Sequence, residues 1–264
     1  MIQKLKVFSC QIILFGIIFG QDDNTFIRNL IIEGNENVSR NEILFIVRQR
    51  PPNFFFRRPK FDPRLLRLDV LTLKNYYYSK GFLDVVIKEY YEDDIQDSYN
   101  QNNYVNIFYD INEGKQYNLS KVEIIGNDLI SPKIITKLLG LRVDNPYNPV
   151  GLNDNMYLLE NEYQKLGKLF AAISVKDEIK DSVKVIINID EGDYIFIKDT
   201  RIQKRGNLDS SIVLRELKYD SGDLYSKTKI DKSSKHLREL GIFSTANIYP
   251  ERVSGSDSLV DIVI

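Results

Sequence analysis

The sequence predicts an α+β fold made of three tandem β-α-α-β-β units, each a three-stranded mixed sheet covered on one face by two helices. Three observations carry this expectation. A strand that ends in Gly-Asn and leads into a helix occurs as IIEGNENVSRNEI from Ile31, as EIIGNDLISPKII from Glu123 and more loosely as RIQKRGNLDSSIV from Arg201. Two helical apolar stripes follow it each time. A final strand with period-two alternation and a closing Glu-Gly ends the first two copies, YVNIFYDINEGK and SVKVIINIDEGD. Five features kept in one order mark a repeat, with units expected at residues 25–115, 116–193 and 194–264.

The first strand is IRNLIIEGN, LSKVEIIGN and IKDTRIQKRGN in the three copies. Glycine supplies the positive φ that ends it, and asparagine tolerates that region. The short helix that follows is capped by Ser39, Ser131 and Asp209. Glu42 completes a capping box with Ser39, and Pro132 stands at the first helical position. Four residues past each cap lie Ile43, Ile135 and Val213, and four further lie Val47, Leu139 and Leu217, so one apolar face recurs three times.

The longer helix carries Leu66, Val70, Leu73 and Tyr77 in the first copy and Leu152, Met156, Leu159 and Tyr163 in the second. In the third, Ile230 and Leu237 keep the register while Ser226 and Ser233 are expected to interrupt it. Gly81, Gly167 and Gly241 stop these helices with a left-handed cap. The second strand then reads FLDVVIKEYYED, KLFAAISVKDEI and IFSTANIYPERV. In the last strand Val105, Ile107, Tyr109 and Ile111, and likewise Val183, Val185, Ile187 and Ile189, form the apolar side of a half-buried strand. The third copy reaches only SLVDIVI, with Val260, Ile262 and Ile264 on the apolar side. Unit three is therefore expected to be truncated in its last strand and the chain to be a fragment.

The order of elements constrains the topology. Strands two and three form a hairpin, strand one runs parallel to strand three, and the sheet order is 1-3-2 with the apolar strand central. Strands one and two become edges, which offer unpaired N–H and C=O groups to another extended chain.

Composition narrows the function classes. Thirty-six Lys and Arg balance 37 Asp and Glu, so no basic field points to nucleic acid. Residues 1–20 carry Lys4 and Lys6 ahead of an uncharged run from Val7 to Phe19, too short for a spanning helix and suited to a signal peptide. The single cysteine, Cys10, lies in that segment, so the exported chain is expected to hold together by burial without disulfides.

With these features placed, the repeats resemble polypeptide-transport-associated (POTRA) domains. IEGN, YYYSKGFLDVVI and LRELGIFSTANI are similar to patterns of the BamA/TamA group of outer-membrane assembly factors, and the resemblance covers residues 25–264. It implies a periplasmic arm ahead of a C-terminal outer-membrane barrel that lies outside this sequence. Its implied partners are unfolded outer-membrane proteins and accessory assembly proteins. A two-partner-secretion-type transporter and a barrel-less soluble periplasmic scaffold are the alternatives.

Two candidate contact sites follow. The edge strand DVVIKEYY offers Val85, Val86, Ile87, Lys88, Glu89 and Tyr90 to a partner's backbone. The insertion PPNFFFRRPKFDP sets Phe54, Phe55, Phe56 and Phe61 among Arg57, Arg58 and Lys60. It suits a partner or lipid headgroups if exposed, or core packing if the rings fold back. No catalytic, cofactor or metal site is expected. His236 stands without clustered ligands and reads as a surface residue, and YYEDDIQDSY lacks calcium-loop spacing. Neither a phosphate loop nor a Ser-His-Asp pattern is present.

Overall fold

The computed structural model of the chain describes residues 25–53, 59–94, 103–203, 209–241, 245 and 247–264. The expected signal segment, residues 1–20, lies outside them, as do Phe54, Phe55, Phe56, Arg57 and Arg58 of the insertion.

Unit 1 runs β1 (Thr25–Glu33), α1 (Arg40–Ile46), α2 (Pro63–Ser79), β2 (Val86–Asp94) and β3 (Asn103–Asn112). Unit 2 repeats it as β4 (Leu119–Ile125), α3 (Pro132–Leu138), α4 (Pro149–Lys165), β5 (Ala172–Ile179) and β6 (Val183–Asp190). Unit 3 is β7 (Phe196–Arg201), α5 (Ser210–Glu216), α6 (Lys227–Glu239), β8 (Tyr249–Arg252) and β9 (Leu259–Val263). The three sheets have the orders β1-β3-β2, β4-β6-β5 and β7-β9-β8. In each, the first strand is parallel to the last and the second antiparallel to it. Each parallel pair shifts register at the same place, at Ile27/Asn29, Leu119/Lys121 and Ile197/Asp199. That bulge left no mark in the sequence pattern.

Each unit has its own core. The inward side of the central strand supplies Val105, Ile107, Tyr109 and Ile111 in unit 1, packed under Ile43, Leu66, Leu73 and Tyr77. The same positions in unit 2 are Val183, Val185, Ile187 and Ile189 under Ile135, Leu152, Leu159 and Tyr163. Fully burying one such aliphatic side chain stabilises by about 1.5–3 kcal/mol. The Gly-Asn step is required by space as well as by φ. Gly34 and Gly126 have φ of 75° and 82°, and a Cβ on either would collide with the carbonyl of Ile111 or Ile189 in the central strand.

Polar side chains complete these cores. The glutamate of the closing Glu-Gly is an acceptor in both units, buried in unit 1 and half-buried in unit 2. Glu113 accepts from the backbone N–H groups of Asn37 (2.9 Å) and Val38 (3.2 Å), from the Asn37 amide (2.7 Å) and from the Tyr77 hydroxyl (3.0 Å). Its counterpart Glu191 accepts from Leu129 N–H (2.8 Å) and Tyr163 hydroxyl (3.1 Å). Burial, seconded by Glu113, pushes the Tyr77 phenol far above its usual range. Asp69, seven residues past the cap of α2, is fully buried and accepts from Arg48 N–H (2.7 Å), Gln49 N–H (3.0 Å) and Tyr109 hydroxyl (3.1 Å).

The third long helix corrects the sequence expectation. Ser226 is its N-cap, outside the stripe, and α6 has 13 residues where α2 and α4 have 17. Aligned on their caps, Asp69 and Ser233 are equivalent. Ser233 does not interrupt packing: it is fully buried, and its Oγ accepts from Lys218 N–H at 2.8 Å. It thus satisfies the end of α5 as Asp69 satisfies the end of α1.

The joints between units repeat as well. Tyr117 N–H donates to the Gly81 carbonyl (2.8 Å), and Tyr147 N–H donates to the Tyr117 carbonyl (2.9 Å). Ile195 N–H donates to Gly167 (2.9 Å), and Tyr225 N–H donates to Ile195 (2.8 Å). Two residues past each helix-ending glycine, Leu83 packs against the core of unit 2 and Leu169 against that of unit 3. Arg252 of β8 lies over the Phe170 ring at 3.5 Å and adds a contact to the second joint.

Candidate functional site

The two outer strands of each sheet are not equally open. In all three units the segment before the long helix turns back along the first strand. In unit 1, Ile27 N–H donates to the Pro59 carbonyl (2.8 Å), and Phe61 N–H donates to Thr25 (3.0 Å). In unit 2, Leu119 N–H donates to Asn145 (2.9 Å) and Asp144 N–H to Leu119 (2.8 Å). In unit 3, Ile197 N–H donates to Asp223 (2.9 Å) and Gly222 N–H to Ile197 (2.7 Å). The start of every first strand is therefore occupied by its own chain. Among the described residues, the open edges are β2, β5 and β8.

These three edges differ in length and chemistry. β2 has nine residues and no proline. Val86, Lys88 and Tyr90 point away from the core and are exposed, whereas Ile87 is buried and Glu89 is half-buried. Val85 is buried and precedes the strand, so five of the six residues expected along this edge lie in it. β5 has eight residues, and its Asp177 lies on the core-facing side opposite Val185. β8 has four residues, one of them Pro250. An inward charge, a short strand and a proline each blunt an edge against pairing.

Beside β5 a groove of about 360 Å3 runs between strand and helix, lined by Tyr147, Leu152, Met156, Val175 and Asp177 among others. The Tyr147 hydroxyl donates to Asp177 at 2.7 Å across its floor. Burial and that carboxylate push the phenol far above its usual range, so it remains a donor. In unit 1 the matching positions hold Phe61 and Tyr91, whose rings touch at 4.6 Å between centroids. Phe61, expected in a contact loop, is half-buried against the unit 1 core.

Other features carry less chemistry. His236 is on α6, 3.8 Å from Glu216. Among the described residues, no group of three or more His, Cys, Asp or Glu could hold a metal ion, and no helix is long and apolar enough to cross a membrane. Of the acidic stretch Tyr90 to Tyr99, the first five residues are the end of β2. What the sequence did not show was which edge is self-covered. Pro59, Asn145 and Asp223 act through their carbonyls, which leave no residue-type signature.

The comparisons with known proteins agree with this architecture. The POTRA family model, described as surface antigen variable number repeat, matches residues 25–114 and 117–192. The chain belongs to the POTRA family. It is 23% identical over 274 residues to the outer membrane protein assembly factor BamA of Buchnera aphidicola, across 99% of this chain and 43% of that protein. To BamA of Neisseria meningitidis it is 23% identical over 211 residues, across 78% of this chain and 26% of that protein. The chain thus spans less than half the length of these POTRA relatives. The crystal structure of Haemophilus influenzae BamA POTRA3-5 aligns with a TM-score of 0.65 at 20% identity, covering 90% of this chain and 94% of that one. That likeness speaks to the three-unit fold, including the unit that the family model leaves unmatched.

Proposed function

We propose that this chain is the periplasmic arm of an outer-membrane protein assembly factor. Its POTRA units, divided at 115/116 and 193/194, hold extended segments of unfolded outer-membrane proteins and accessory proteins by strand addition. The carrying observation is the nine-residue β2 edge, unpaired along its length among the described residues, while the opposite edge β1 is covered at the start by Pro59–Phe61. Strand addition draws its affinity from backbone groups and makes little demand on sequence, which suits a protein with many clients. The assembly role of the BamA relatives supports the same reading. The arm binds and positions; it does no covalent chemistry. A signal peptide over residues 1–20 would deliver it.

The test is a ten-residue peptide with alternating apolar residues, followed by amide NMR. Shifts should concentrate on Val86–Asp94. N-methylation of the peptide's alternate amides should abolish binding, because it removes the donors that strand addition uses. Val86→Pro should weaken binding at least tenfold while circular dichroism stays unchanged. Undiminished binding of the N-methylated peptide would overturn strand addition at this edge.

A further inference from the structure

The helix-free face of the unit 1 sheet is a second surface, distinct from the edge. Alternation along β3 puts Tyr104, Asn106, Phe108 and Asp110 on this face, opposite the buried Val105, Ile107 and Tyr109. Register places Tyr90 of β2 and Ile31 of β1 on either side of Phe108. The Tyr90 and Phe108 rings stack in parallel, with centroids 4.7 Å apart and planes 5° apart. The result is an apolar row across all three strands. The rows on either side of it carry Glu33, Asp110 and Glu92, with Lys88 the one ammonium among them. Among the described residues none of these four forms an ion pair.

The same face contains an occupied example of this arrangement. Four residues back along β3, the Arg28 guanidinium lies 4.8 Å from the Tyr104 ring centroid, and Asp94 holds its Nε at 3.0 Å. A cation, an aromatic face and a carboxylate form a closed set there. At the Phe108–Tyr90 stack the aromatic surface and the carboxylates are present, but among the described residues no cation lies over the rings; Lys88, opposite Asp110 in the register, makes no ion pair. The corresponding face of unit 2 shows the contrast. There Lys184 pairs with Glu123 (2.9 Å) and Glu178 (3.8 Å), Lys121 with Glu123 (3.5 Å), and Lys176 with Glu178 (3.5 Å). Unit 3 closes its face with Arg201 against Glu251 and Asp261. Among the described residues, only unit 1 sets an aromatic row beside carboxylates that form no ion pair and outnumber their one neighbouring ammonium.

We infer that this face of unit 1 docks a partner segment that combines apolar residues with arginine or lysine, a guanidinium or ammonium completing the Phe108–Tyr90 stack. Ring quadrupole and carboxylate act together on one cation, while Ile31 and the rings take the apolar residues. This surface is independent of strand addition at β2, and the same chain can use both.

The probe is a ten-residue peptide alternating leucine and arginine, N-methylated at alternate amides so that it cannot extend the sheet edge. Its affinity for the full chain is read by fluorescence anisotropy. Binding is expected, with amide shifts at Ile31, Tyr90 and Phe108. Replacing every arginine by glutamine should weaken it about tenfold, as should raising the salt from low to high ionic strength. The exposed double substitution Glu33→Gln with Glu92→Gln should weaken it about threefold to tenfold, and Tyr90→Ala about threefold. Val86→Pro should leave it unchanged. Equal binding of the leucine–glutamine peptide, or an E33Q/E92Q variant that binds as tightly as the parent, would overturn the proposal and leave the edge reading intact.

Discussion

Units 1 and 3 share one fold and differ where the fold permits difference. Unit 1 has a nine-residue open edge and secures the end of its first helix with a buried carboxylate, Asp69. Unit 3 has a four-residue edge containing Pro250 and uses a hydroxyl, Ser233, at the equivalent place. Strand order, the bulge in the parallel pair and the turn back along the first strand are common to both. In these two units the site is filled by a buried acceptor, a carboxylate in one and a hydroxyl in the other, so either group serves. The comparison also teaches that the outer strand can be opened or closed without changing the sheet. On the strand-addition proposal, binding capacity is then set unit by unit at the edge.

The largest expected effect tests the interior half of this comparison. Asp69→Ala strands two backbone N–H groups and the Tyr109 hydroxyl, and should destabilise unit 1 by about 3–5 kcal/mol in denaturant titration. Ser233→Ala strands one N–H and should cost unit 3 about 1 kcal/mol. Equal losses would break the contrast. Glu113→Ala should resemble Asp69→Ala, since it leaves the Asn37 and Val38 N–H groups unpaired.

The second effect is on the edges. Pro250→Val restores a donor to β8 and should bring a detectable affinity for the alternating apolar peptide to unit 3, within about tenfold of that at β2. Its readout is new amide shifts at Tyr249–Arg252. If none appear, the shortness of the strand, rather than the proline, closes that edge.

The smallest effect concerns the first helices. In unit 1 the Tyr76 hydroxyl (first), then Ser39 N–H and Ser39 Oγ, hold the Glu42 carboxyl down at about 2. A depressed folded-state value adds stability that is complete above the ordinary glutamate range and is lost as pH falls toward 2. The Ser39 and Glu42 amide signals should therefore titrate with a midpoint near pH 2 rather than in the ordinary glutamate range, while Ser131, whose side chain makes no cap bond, should not respond. Glu42→Gln should remove the titration.

Much of the architecture was legible because it depends on residue types that repeat. Ser39, Ser131 and Asp209 are the caps expected of them, and Gly81, Gly167 and Gly241 end their helices at positive φ. Period-two alternation in β3 and β6 gave the central strand. The acceptor role of Ser233 is not legible because alignment from the helix end, at Gly241, hides a helix one turn shorter, and a serine in an apolar stripe does not announce that role. The covering of β1 by Pro59–Phe61 was not legible, because it is made by backbone groups. The stacked face of unit 1 was present in the sequence as Tyr90, Tyr104 and Phe108. Only the register of β2 on β3 joined them into one surface.

The joints have a consequence for ancestry and engineering. Leu83 belongs by sequence to unit 1 and by packing to unit 2, as Leu169 does between units 2 and 3. A crossover placed at residue 115 or 193, where the repeat pattern invites one, would part each plug from the socket it fills. Units of this array are therefore not freely interchangeable cassettes. Recombination that preserves function would have to move a unit together with the leucine of the unit before it, so the heritable module is offset from the folded one by about thirty residues.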